Sequence, residues 1–192
     1  MKRYKASLKT GNDGIFKVDL VDKPAIEQAA FYFNEQMPIK LALDEERGII
    51  IGAALIPDKA IFRRQKLNGV EEEFEIFFPA DMMEEVLTKF MKLIDKSNVG
   101  IMHTSDKPVN DVCINMCFMA DEQLGVQHPK GFEDNPDKTI YMAGKVDNPD
   151  IKAKIKAGEI TGWSIEGLFT FEEDSTTELS LSEQIAKALN VK

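Results

Sequence analysis

The chain is poor in the residues that usually announce a function. Its 192 residues include two cysteines, two histidines and one tryptophan. Cys113 and Cys117 stand four apart in a segment that alternates like a strand, so they share a face but lie too far along it for an easy disulfide. A disulfide-stapled scaffold is therefore excluded, and both thiols are expected to be reduced. The Cys-x3-Cys spacing lacks the knuckle geometry of structural zinc sites, so joining Cys113 and Cys117 with His103 and His128 gives no convincing metal centre. The acidic clusters Glu71-Glu72-Glu73 and Glu84-Glu85 read as solvated surface, and neither a metal nor a cofactor is expected. Positive charge is also in short supply, with 24 Lys and Arg against 33 Asp and Glu and a net charge of -9. Gripping nucleic acid by its phosphates needs a basic face, so no nucleic-acid partner is expected. No apolar run approaches the length of a membrane span, and Met1-Lys2-Arg3-Tyr4-Lys5 is not followed by the apolar stretch of a signal peptide. The expectation is a cytoplasmic protein with no membrane partner and no internal repeat.

Apolar material for a core is present. With 43% hydrophobic and 8% aromatic residues the chain can fold as one domain rather than remain disordered. Strand-like alternation covers Ile15 to Val21, stopped by Pro24, and a hairpin joins Ile39–Leu43 to the long apolar run Ile49–Pro57, with a bulge or bend expected at Gly52. Ala60–Arg64 and Glu73–Phe78 flank the turn Asn68-Gly69. Asp81 to Lys96 carries Met83, Val86, Leu87, Phe90, Met91 and Ile94 at helical spacing, which predicts a core-facing helix. Val99–His103, Val112–Met119 and Thr139–Val146 read as further strands, with Val112, Ile114, Met116 and Phe118 on one face. A polar loop spans 121–138, and Asn148-Pro149-Asp150 opens a short helix, with asparagine as cap and proline at the first helical position. The fold class is α+β. A domain over 1–171 is expected, followed by an acidic linker and an amphipathic C-terminal helix over 172–192.

Gly158-Glu159-Ile160-Thr161-Gly162-Trp163-Ser164-Ile165-Glu166-Gly167 reads as a helix exit, a tight turn and a strand that begins at the serine. A hydroxyl satisfying a turn is the commoner use of such a serine. A nucleophile held at a rigid element end is the other, and it needs an adjacent base. His103, closing its own strand, supplies an imidazole with the right acidity to take the hydroxyl proton and return it to a leaving group.

The order Val18–Ile26, Gly52-Ala53-Ala54-Leu55-Ile56-Pro57-Asp58 with Ile61-Phe62-Arg63, the His103 segment and the block Lys156–Gly167 resembles the XkdF-type serine proteases of tailed phages and prophages. These in turn resemble the prohead proteases related to herpesvirus assemblin, over residues 15–171. The resemblance implies a small, mostly antiparallel β-barrel flanked by helices. It also implies Ser164 as nucleophile and His103 as general base. For the third catalytic member it points to Asn115, on the strand after His103, with Asp111 as the substitute, because His128 falls in the wrong order for the viral His-Ser-His arrangement. The implied function is a phage prohead serine endopeptidase that cleaves scaffold and major capsid protein, and itself, inside the assembling procapsid in the host cytoplasm. A homo-oligomer is compatible with that role. The alternative is a non-catalytic structural or core protein of the phage head that keeps the fold; a plain protein-binding module would leave the Ser164 block unexplained.

Overall fold

The computed structural model describes residues 1–22, 42–44, 47–67, 70–93, 95–103 and 107–174. Chain order gives β1 (Lys2–Ser7), β2 (Gly14–Val21), β3 (Ala42–Asp44), β4 (Ile49–Leu55), β5 (Ile61–Leu67), β6 (Val70–Phe77), α1 (Met83–Leu93), β7 (Val99–Ile101), β8 (Val112–Met119), β9 (Ile140–Val146), α2 (Pro149–Lys156), β10 (Gly162–Leu168) and β11 (Thr170–Glu173). The class is α+β, mostly sheet.

Among the described residues the strands form three open sheets, ordered β11-β1-β6-β5, β10-β2-β7 and β3-β4-β9-β8, and the expected barrel is not closed. A barrel needs an unbroken ladder. Here β1 and β2 are consecutive in sequence yet belong to different sheets, and each has a parallel neighbour, β6 and β7 respectively. The chain turns between them around Asp13, whose carboxylate accepts the backbone N–H groups of Lys9 and Thr10, at 2.6 and 3.0 Å, and the Thr10 hydroxyl. Those bonds hold the Asp13 carboxyl down at a pKa of about 2, the Thr10 hydroxyl contributing most.

The core joins the three sheets. α1 lies on β2 and β8 through Met83, Val86 and Phe90, three buried residues at helical spacing. β10 packs across β4, and the Trp163 indole N–H donates to the Met142 carbonyl of β9 at 3.1 Å while its ring covers Gly144. An added Cβ at Gly144 would come within 2.9 Å of that ring, so glycine there is what lets the two sheets approach. α2 starts as its sequence predicts: Asn148 Oδ1 accepts the N–H groups of Asp150 and Ile151 at 3.0 and 3.1 Å, and Ile151 and Ile155 are buried.

Several local expectations are corrected. Ser164 stands two residues inside β10 rather than at its first position. The bulge in β4 falls between Ala53 and Leu55, not at Gly52. A second bulge in β8, between Ile114 and Met116, makes Asn115 an extra residue and reverses the faces beyond it, so Met116 is exposed rather than in the core. Met91 is also exposed, and α1 stops at Leu93. β11 pairs with β1 through Glu172 and Glu173, which carries the domain two residues past the expected boundary. The Asn68-Gly69 turn, Ile94 and the C-terminal helix lie outside the described residues. No helix among the described residues is long and apolar enough to cross a membrane.

Candidate functional site

The three-stranded sheet β10-β2-β7 builds the site by register. Ser164 of β10 lies opposite Asp19 of β2, and Asp19 lies opposite Gly100 of β7. Two residues along, Glu166 lies opposite Lys17. Because strand side chains alternate with a period of two, Ser164 and Glu166 share a face, as do Lys17 and Asp19. The glycine is required: a Cβ on Gly100 would lie 1.8 Å from Asp19 Oδ1, so the carboxylate occupies the space a side chain would fill.

His103 arrives from the end of β7. Met102 and His103 both take left-handed backbone conformations, φ 52° and 51°, which are costly for residues with a Cβ. Two backbone hydrogen bonds hold the turn: Met102 N–H to the Leu20 carbonyl at 2.9 Å and His103 N–H to Asp19 Oδ2 at 3.0 Å. The turn swings the imidazole back over the sheet. Its Nε2 lies 3.1 Å from Ser164 Oγ, while its Nδ1 lies 2.6 Å from Glu166 Oε1 and 2.6 Å from Asp19 Oδ2. The aligned Nδ1 hydrogen bond is the one to Glu166; Asp19 Oδ2 already accepts the His103 backbone N–H and faces the ring mainly as a charge.

The two carboxylates therefore differ in role. Asp19 is fully buried, and its Oδ1 has no hydrogen-bond partner. Burial raises its pKa, opposed by the charges of His103 and Lys17. Glu166 is partly exposed; burial pushes its carboxyl upward, but hydrogen bonds from His103 and Lys17 outweigh that and leave it below its ordinary value. Lys17 Nζ sits between them, 3.5 Å from Asp19 Oδ1 and 3.3 Å from Glu166 Oε1. With both acids ionised, the group of Lys17, Asp19, Glu166 and a neutral His103 carries one net negative charge. A proton held by the imidazole during a reaction would make the group neutral.

The chain matches no protein-family model, no curated protein and no solved structure.

Of the residues expected from sequence, Ser164 and His103 come together. Asn115 is an exposed bulge residue on β8. Asp111 is exposed in a left-handed turn, where its carbonyl accepts the N–H groups of Asp147 and Asn148. The place behind His103 expected for one of them is taken by Glu166 and Asp19. His128 hydrogen-bonds the Tyr141 hydroxyl at 2.8 Å. Cys113 and Cys117 are free, and burial pushes the Cys117 thiol up to about 12. Asp19, Glu166 and Lys17 went unrecognised in the sequence, although two charges at alternate positions in the otherwise apolar Ile15–Val21 were a usable signal, because buried charges need a partner.

Asp19, His103 and Glu166 are also the one group of His, Cys and acidic side chains among the described residues close enough together to hold a metal ion. Lys17 already supplies a cation between the two carboxylates, which favours a proton-transfer site over a metal site.

Proposed function

We propose that this chain is a serine endopeptidase, with Ser164 as nucleophile, His103 as general base and acid, and Glu166 and Asp19 behind the imidazole. The observation that carries the reading is the continuous line from Ser164 Oγ through His103 Nε2, at 3.1 Å, to two carboxylates 2.6 Å from Nδ1. Glu166 fixes the tautomer that carries its proton on Nδ1, leaving Nε2 free to accept from Ser164. Oγ attacks the scissile carbonyl carbon as its proton passes to Nε2. Collapse of the tetrahedral adduct breaks the C–N bond, and Nε2–H protonates the leaving amine. Water then attacks the acyl-serine by the same route and releases the acid. During each attack the buried charge of Asp19 stabilises the imidazolium, and the N–H groups on the unpaired edge of β10, an outer strand among the described residues, can donate to the developing oxyanion. The left-handed Met102-His103 turn and a buried carboxylate oxygen that has an ion pair to Lys17 but no hydrogen bond support catalysis over a purely structural role, since a scaffold gains little from either.

The phage setting comes with the resemblance of the Lys156–Gly167 block and the His103 segment to XkdF-type and prohead proteases. In that reading the enzyme cuts scaffold and major capsid protein, and itself, inside the procapsid, and the three open sheets are the described part of an assemblin-like fold. The test has two parts. Ser164 should be labelled by a fluorophosphonate probe in the wild type and not in Ser164→Ala or His103→Ala. Co-expression with the scaffold and capsid proteins encoded beside it should give processing with the wild type alone; equal processing by Ser164→Ala would sink the reading.

A further inference from the structure

We propose that the cavity beside Ser164 receives an acidic side chain of the substrate and that Arg63 recognises its carboxylate. The proposal rests on the serine-peptidase reading and specifies what that enzyme selects.

The cavity has a volume of about 280 Å³, close to the small end of ligand pockets and suited to one large side chain. One wall is the face of the β5–β6 hairpin that carries Ile61 opposite Ile76 and Arg63 opposite Phe74; the other is β10, at Trp163 to Ile165. The lining is apolar apart from Ser164 and Arg63. Arg63 has five N–H donors, yet among the described residues its one hydrogen bond is from Nη1 to the Phe62 carbonyl at 3.1 Å, and it makes no ion pair. Its neighbour Arg64 pairs with Glu73. Arg63 is half-buried, and a guanidinium partly withdrawn from water gains by meeting a counter-charge; the same burial weakens its hold on the proton. In a chain with a net charge of -9, a structural arginine would find a carboxylate readily. Arg63 instead faces, with donors to spare, a cavity that Ser164 borders.

The shape of the opening agrees. β10 is the outer strand of its sheet among the described residues, so an extended substrate can lie along it and direct alternate side chains toward the hairpin. A glutamate fits best: its methylenes lie against Ile61, Ile76 and Phe74, and its carboxylate meets the planar fork of the guanidinium.

The experiment uses the full chain and two degenerate acetylated peptide libraries, identical except for a fixed Glu or Gln, with cleavage mapped by mass spectrometry. The readout is the Glu-to-Gln ratio of kcat/KM within one preparation, which cancels any general loss of folding. Wild type should favour Glu roughly 10- to 100-fold, the value of a charge-assisted hydrogen bond. Arg63→Gln should bring the ratio close to one, and Arg63→Lys should keep its direction. Cleavage with no Glu preference, or a ratio unchanged by Arg63→Gln, overturns the pocket assignment and leaves the peptidase standing. If neither cleavage nor fluorophosphonate labelling occurs, the peptidase reading fails, and titration of Ser164→Ala with the same libraries, read by the fluorescence of Trp163 in the cavity wall, decides the pocket. Tighter binding of the Glu library supports it, and equal binding overturns it.

Discussion

Replacing Gly100 with alanine should disarm the candidate site without touching any group that reacts. The new methyl would lie 1.8 Å from Asp19 Oδ1, and ordinary contact begins near 3.4 Å, so the carboxylate must retreat by about 1.6 Å. That carries Oδ2 from 2.6 Å to about 4 Å from His103 Nδ1. At an effective dielectric of about 20, the attraction between a carboxylate and an imidazolium falls from about 6 to about 4 kcal/mol over that change. The difference, about 2 kcal/mol, slows proton uptake by His103 roughly 30-fold. The assay is the second-order rate of fluorophosphonate labelling at Ser164, measured beside a denaturant midpoint, since overpacking itself costs about 1–3 kcal/mol of stability. A double-mutant cycle supplies the decisive comparison. Once Asp19 is shortened to alanine the methyl meets little besides Lys17, and Gly100→Ala should then be close to neutral in both readouts. Equal costs in the two backgrounds would refute the reasoning.

Glu166→Gln keeps an oxygen that can accept from Nδ1 but removes the charge, and labelling should slow about 10-fold; Asn115→Ala should label at the wild-type rate, and a loss there would return Asn115 to the site. Asp13, held at a pKa of about 2 against an ordinary 3.8, contributes stability that is fully present above pH 4 and is lost as the pH falls toward 2. Asp13→Asn should therefore lower the thermal midpoint at pH 6 and leave it nearly unchanged at pH 2, and an equal drop at both would remove the carboxylate from the explanation.

The local features of this chain were legible in its sequence. The Asn148-Pro149 start of α2, the alternation of β2 and the buried stripe of Met83, Val86 and Phe90 are written in neighbouring residues, and periodicity finds them. Ser164 and His103 could be singled out because each stands in an unusual local setting. Their carboxylates could not, because Asp19 reaches Ser164 only through the register of β10 on β2, and Glu166 reaches His103 only after the chain turns left-handed at Met102. Register between strands distant in sequence has no local signature. The bulge at Asn115 shows the same limit: one extra residue reverses every face beyond it, and Met116 moves from expected core to surface.

The placement of Ser164 on β10 also has a consequence for how the protein is made. Lys17 and Asp19 leave the ribosome early, on β2, and His103 follows, but Ser164 comes with Gly162–Leu168, almost the last strand described. Closing the β2–β10 ladder is a long-range pairing, slow relative to local hairpins. Until it closes, a nascent chain has His103 and Asp19 but no serine beside them. If the proposed peptidase reading holds, its activity is delayed by the order of synthesis itself, and a chain broken off before β10 is inert rather than dangerous.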